Sequence, residues 1–310
     1  MRTPKLLISA AAALLMAVPS FAQGGEEALP FARTDRNPAT AGKAFTGTAS
    51  TSSIAWSAFS NSAVIPFYKQ NFDAGLSWQN WAPDGTKSTN INAGVAYRIN
   101  DFIGISAGFA SQSYESYDVI DQYGMQDGTF TPKALVVNGG VGVRVADQFS
   151  IGANVRYLRQ TITDGRAIDA FAGDVMLYYK PLKELGLTAG VVSVGSKVKS
   201  ILGESYSLPA SAKVAGDYTL DIEGNIIRAD VDLDYYFSGN LTAGIGAEYG
   251  FADMVFIRAG YHYGEDKSVL PSFAAIGAGL KFYGVKLDFA YLTANKSLGN
   301  TITIGLGYSF

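Results

Sequence analysis

The C-terminal run constrains the fold most. In Thr301-Ile302-Thr303-Ile304-Gly305-Leu306-Gly307-Tyr308-Ser309-Phe310, the residues Ile302, Ile304, Leu306, Tyr308 and Phe310 share one face of an extended strand. Thr301, Thr303, Gly305, Gly307 and Ser309 share the other, because successive strand side chains point to opposite sides. A strand that is apolar on one side, small and polar on the other, and closes on an aromatic residue fits a transmembrane β-barrel. There the apolar face meets lipid and the polar face meets the lumen. A soluble reading would place the same residues inside out.

The N-terminus sets the compartment. Arg2 and Lys5 form a positive start, Leu6 to Val18 is predominantly apolar, and Ser20-Phe21-Ala22 offers small residues at a cleavage site after Ala22. Residues 1–22 therefore read as a secretory signal peptide, the apolar stretch being too short to span a bilayer. The sequence holds no Cys, which excludes a disulfide framework and an acylated-cysteine lipoprotein.

Charge is low, at 16% of residues with a net charge of −3, and no basic cluster stands out. Nucleic acid is not an expected partner. Glycine is abundant at 35 residues, with Tyr and Phe at 18 each. Much glycine and many aromatics suit a barrel in which half the wall faces water.

Period-two alternation predicts an all-β, antiparallel up-and-down barrel of about fourteen strands. Their bounds are Phe72–Trp81, Ser88–Ile99, Phe102–Ser111, Ala134–Val145, Phe149–Arg159, Ile168–Lys180, Leu185–Val194, Pro209–Leu220, Ile226–Tyr236, Asn240–Gly250, Met254–Tyr263, Ser272–Phe282, Val285–Leu292 and Thr301–Phe310. The tight links Asn100-Asp101, Ala146–Gln148, Pro181–Glu184, Asp221–Asn225, Phe251–Asp253 and Tyr283-Gly284 all follow even-numbered strands. The longer Gln112–Lys133, Ser196–Leu208 and Thr293–Asn300 follow odd ones. Short periplasmic turns and long outer loops alternate in such barrels, so this phase puts both termini on the periplasmic side. Phe237-Ser238-Gly239 is a short link on the outer side. Ile91, Ala93, Val95, Tyr97 and Ile99 would meet lipid, as would Ile227, Ala229, Val231, Leu233 and Tyr235. Tyr157, Tyr179, Tyr218, Tyr249, Tyr263 and Phe282 sit where interfacial girdles are expected.

Residues 23–67, before the barrel domain at 68–310, are rich in Ala, Ser, Thr and Gly and lack alternation. They read as a plug folded into the periplasmic mouth or lower lumen, around Gly42, Gly47, Trp56 and Asn61-Ser62-Ala63. This segment resembles the opening of the PorV/PorQ family, within the wider group of barrels similar to the FadL fatty-acid channel. The family's Asn-Pro-Ala is matched here by Asn61-Ser62-Ala63. Leu208-Pro209, Gly246–Tyr249, Ile257–Tyr261 and Leu287–Tyr291 are similar to later family features. The resemblance implies a plugged barrel of the Gram-negative outer membrane. Some members serve type IX protein secretion, and others pass hydrophobic compounds.

Enzyme signatures are lacking: there is a single His, His262, and no nucleophile elbow, P-loop or dinucleotide motif. No catalytic residue, cofactor or metal is assigned. Asp230-x-Asp232-x-Asp234 opens like a calcium loop, but Tyr235 and Leu241 stand where Gly and Glu are needed. His262 is expected near the outer rim, facing in. Lys213, Arg228, Arg258, Lys281 and Lys286, with Asp217, Asp230, Asp232, Asp234, Glu248 and Asp288, form a near-balanced inward set. Balance favours cross-strand pairing over a one-sign ion pore. Recurrent inward glycines, among them Gly94, Gly140, Gly142 and Gly246, leave room for the plug.

Two readings stay open. The inward polar residues favour the first, an accessory of protein secretion or surface attachment whose outer loop, with Tyr114, Tyr117 and Tyr123, holds a secreted protein or secretion-system component. The other is a FadL-like channel for a hydrophobic small molecule. In both the partners include outer-membrane lipid and the barrel-assembly machinery, which would read Tyr308 and Phe310.

Overall fold

The computed structural model describes residues 27–81, 87–121, 123–163, 165–199, 205–264, 270–294 and 301–310. The expected signal peptide lies outside them. The wall is a closed sheet of fourteen antiparallel strands. They are β1 (Phe72–Trp81), β2 (Ser88–Arg98), β3 (Ile103–Tyr114), β4 (Lys133–Ala146), β5 (Phe149–Thr163), β6 (Arg166–Tyr179) and β7 (Leu185–Gly195). β8 (Ser211–Ile222), β9 (Asn225–Tyr236), β10 (Leu241–Phe251), β11 (Val255–Gly264), β12 (Phe273–Phe282), β13 (Val285–Ala294) and β14 (Thr301–Ser309) complete it. Each strand pairs with its neighbours in the chain, and β1 closes on β14 with Gly75 opposite Gly307 and Leu76 opposite Leu306. Closure gives every strand two partners, the condition for placing β-structure in lipid.

The alternation read from the sequence is the alternation of the wall. On β9, Ile227, Val231, Leu233 and Tyr235 are exposed while Arg228, Asp230, Asp232 and Asp234 are buried. On β14, Ile304, Leu306, Tyr308 and Phe310 are exposed, and Thr301, Thr303 and Ser309 are buried. Leaving the apolar side open and the polar side enclosed is the polarity of a barrel immersed in lipid.

All the expected strands form, within a few residues of their expected bounds. The largest departures are at β3, which runs on to Tyr114, and β5, which runs on to Thr163. Thr163 pairs with Arg166, so the β5–β6 link is a tight hairpin on the outer side. Gly165, at φ 69, supplies the left-handed turn residue that such a hairpin needs. Gln112–Lys133 is not one open loop. Its centre is a two-stranded ribbon, Tyr117–Ile120 against Gln126–Phe130.

The lumen is filled by the chain before β1. Inward glycines let that segment lie directly on the wall. A Cβ on Gly142 would come within 2.0 Å of the Ser62 carbonyl oxygen, and one on Gly94 within 2.3 Å of the Ala55 oxygen. The wall is thus contoured to a backbone, which only residues without side chains permit at such range. Gly142→Val is expected to cost about 1–3 kcal/mol through overpacking, read as a lower thermal midpoint in detergent. Gly139→Ala, where the nearest atom is 4.0 Å away, is expected to leave the midpoint unchanged.

Candidate functional site: plug and lumen

The plug is built from short turns that use side chains in place of periodic hydrogen bonding. It comprises 3-10 turns at Pro30–Arg33, Ser57–Phe59 and Ser62–Phe67 and one short helix, α1 (Pro38–Ala41). Two of these begin alike. The Asn37 side-chain oxygen accepts from Ala39 N at 3.0 Å, and the Asn61 oxygen accepts from Ala63 N at 3.0 Å. Asn is a favoured N-cap for this reason, and Pro38 suits the first helical position.

The expected plug motif lies wholly in the lumen. Asn61 donates to Thr48 O at 3.0 Å and to Thr188 Oγ1 at 3.1 Å on β7. Ser62 donates to Asn154 Oδ1 at 2.5 Å and pairs with Ser106 Oγ at 2.8 Å. Ala63 O accepts from Ser150 Oγ. Trp56 lies over Gly75, and Gly42 meets Gly277. Gly47, at φ 120, donates its N–H to Asp232 Oδ1 at 2.9 Å.

The extent of the plug differs from expectation. It is not confined to the periplasmic mouth. Ala28 N donates to Ser207 O at 3.0 Å and Ser238 Oγ to Glu27 Oε1 at 2.5 Å, both in outer links. The described chain therefore starts at the outer mouth, passes down the lumen, and reaches the periplasmic end at Tyr68 before β1. The physical reason is an apolar chamber in the outer half of the lumen. Leu29, Phe31 and Ala32 pack there with Ala110, Val136, Leu158, Ala172, Val198 and Leu208.

Most of the inward charges pair. Arg228 bridges Asp217 and Glu248, and Arg258 bridges Glu248 and Asp288, the last at 2.5 Å. Lys213 meets Asp234 at 2.8 Å and Asp232 at 3.6 Å. Asp230, fully buried, accepts from Lys43 of the plug. Asp232 also accepts from Thr48 Oγ1. The Asp230-x-Asp232-x-Asp234 carboxylates are thus engaged by plug and wall donors, and no group of metal-ligating side chains occurs among the described residues.

Two members stand apart from this network. Lys281 pairs with Asp253 at a periplasmic turn, and Lys286 with Asp73 on β1 at 3.2 Å. The sequence does not mark Lys43, in a stretch without alternation, or Asp73, whose partner Lys286 is distant; the Arg156–Asp174 pair lies on adjacent alternating strands, where parity makes both residues inward-facing. Sequence reading also passed over Asn37-Pro38-Ala39, which the capping geometry makes equivalent to Asn61-Ser62-Ala63.

His262 faces inward and stacks on Phe273, with ring centroids 5.0 Å apart, beside Phe45. Of the outer-loop tyrosines, Tyr114 does not belong to a contact surface. As the last residue of β3 it packs against the apolar lumen cluster. Tyr117 donates to Ile162 O at 2.9 Å and lies against Phe130. Tyr123 alone of the three stands free of the barrel, 81% exposed.

Between plug and wall runs a cavity of about 760 Å³. Its lining extends from Arg33 and Tyr236 at the outer end to Lys180, Lys183 and Asp253 at the periplasmic end. Lys180 follows β6 at that end. Burial lowers its pKa from the ordinary value, reinforced by the charges of Lys69 and Arg144 against the opposing pull of Asp217 and Glu184.

No family model matches the chain, and no curated protein matches it by sequence. Solved structures do. The toluene transporter TbuX of Ralstonia pickettii superposes with a TM-score of 0.63 at 14% identity, covering 88% of this chain and 97% of its own. The Pseudomonas putida toluene transporter TodX gives 0.63 at 14%, covering 94% and 99%. A FadL homologue of Pseudomonas aeruginosa gives 0.58 at 13%, covering 88% and 98%. The chain shares the FadL-like barrel fold with them. Two of the three are toluene transporters.

Asp230→Asn would leave the Lys43 ammonium buried without its counter-charge, at an expected cost of about 3–5 kcal/mol. The readout is the thermal midpoint of the detergent-solubilised protein. Adding Lys43→Met to Asp230→Asn is expected to recover part of the loss. Equal losses in the single and double variants would mean that the pair does not fasten the plug.

Proposed function

We propose that the protein is an outer-membrane channel of a Gram-negative bacterium that admits a small hydrophobic or amphipathic molecule. One observation carries this reading: a cavity of about 760 Å³ follows the plug from Ala32 and Phe59, at the edge of the apolar outer cluster, to the periplasmic mouth. Concave, largely preformed spaces with an apolar part and a few polar groups are where small molecules bind. The likeness to TbuX and TodX supports the same reading at the level of fold. Leu29 and Phe31 occupy the outer chamber as a removable stopper, and entering cargo takes their place. The polar plug contacts lower down then set the rate at which the path widens.

The wall fits the outer membrane. Phe310 stacks on Phe72 with centroids 5.0 Å apart and lies near Tyr308, an aromatic edge that the barrel-assembly machinery would engage. A second reading, an accessory of secretion or surface attachment of PorV/PorQ type, draws on the exposed Ile120, Tyr123 and Met125 of the outer ribbon. It predicts a co-purifying secreted protein that is lost when the ribbon is shortened.

Uptake of a labelled monoaromatic hydrocarbon by cells producing the protein tests the channel. Uptake is expected to exceed that of cells with an empty vector. Phe31→Ala is expected to change the rate several-fold, because it empties part of the chamber. Equal uptake with and without the protein, for this probe and for a long-chain amphiphile, would overturn the reading.

A further inference from the structure

We propose that the lumen contains a binding site for a small free oxyanion, such as phosphate, between Arg36 of the plug and Arg156 of β5. Three other lumen cations of the outer half have carboxylate partners: Arg33 has Glu27, Lys213 has Asp232 and Asp234, and Arg156 has Asp174. Arg36 differs. It is 6% exposed and donates to the Thr34 and Phe31 carbonyls at 2.6 and 3.0 Å. It forms no ion pair among the described residues. Asp35, next in the chain, attracts Arg36 through space, but its carboxylate accepts from Thr40 Oγ1 at 2.5 Å and Asn37 N at 2.9 Å and forms no ion pair with the guanidinium.

Arg36 and Arg156 meet at Phe59. The Arg36 guanidinium lies 5.0 Å from the Phe59 ring, and Arg156 Nη2 lies 3.5 Å from the Phe59 oxygen. The Nε of Arg156 is buried without a hydrogen-bond partner. Both oxygens of Asp174 are already engaged, one by Arg156 and one by Ser193, and Arg36 forms no contact with it. A bulge where β6 and β7 pair sets Ser193, at φ 57, opposite it, and Ser193 N takes its second oxygen at 2.6 Å. A buried cation without a carboxylate in contact is disfavoured, and planar guanidinium forks suit oxyanions. Arg36, Arg156 and Ser193 all line the cavity, which has room for the ion. Bound there, the ion ties the plug to β5 through charge, as Lys43 ties it to β9.

The site does not depend on the channel reading, since it would fill equally in a barrel that transports nothing. Calorimetric titration of the full detergent-solubilised chain with inorganic phosphate, in a gluconate buffer, tests it. The expected result is a single saturable site. Arg36→Gln is expected to abolish it, and Arg36→Lys, which keeps the charge and loses the fork, to weaken it about tenfold. Lys183→Gln at the periplasmic end is expected to bind like the parent. No saturable binding by the parent chain would overturn the proposal, and so would unchanged affinity in Arg36→Gln. If Arg36→Gln does not fold, unchanged affinity in Arg36→Lys and in Arg156→Lys is the overturning result.

Discussion

Backbone groups that face lipid have no water to bond, and the rest of this structure depends on that constraint. It forces the sheet to close on itself through β1 and β14. Closure then creates an interior whose walls carry every second residue of fourteen strands. Many of those residues are polar, charged or glycine, and the apolar ones among them, such as Val136, Leu158 and Phe273, pack against the plug or one another. What a soluble protein does with leucine in its core, this one does with glycine, serine and paired charges.

The plug follows from that interior. It has little periodic structure of its own, so wall side chains satisfy much of its backbone. Asp73, on β1, accepts from Ile54 N at 2.8 Å and Ala55 N at 3.3 Å, and Asp232 accepts from Gly47 N. Asparagine and serine supply caps where no helix is long enough to supply repeating bonds. One ion pair adds to this fastening, Lys43 of the plug with Asp230 of β9, a strand remote in sequence. The outer chamber around Leu29 and Phe31 has the dry packing of an ordinary core, and so do two smaller clusters, one around Ile54, Ile65 and Met176 and one around Ala44, Phe273 and Leu292.

The wall was legible because one period governs it. Ile302 to Phe310 announces its own facing, and the same rule carried from β1 to β14 places strand ends within a few residues. The inward charges on β8 to β13 could be named from parity alone. Their partners could not all be named, because pairing across a barrel depends on register and on a plug without parity. Lys43 lies 187 positions from Asp230, and nothing in the composition around it marks it as buried. Tyr114 failed as an outer contact for a local reason: β3 continues three residues beyond the point where its alternation fades, and this turns the ring inward. The descent of the plug from the outer mouth was equally hidden, since an apolar chamber assembled from single alanines, valines and leucines on separate strands leaves no run to read.

A tail that starts at one mouth and joins the wall at the other makes the molecule a thread inside a ring. The ring closes where β14 meets β1, and β1 directly follows the thread in the chain. Trp56 and Phe59 are broad, and the lumen around them is narrowed to backbone contact. Laying the thread before the ring shuts avoids drawing those rings through a finished bore. Maturation of the barrel is then a wrapping event, in which the lining is the mandrel on which the wall is wound.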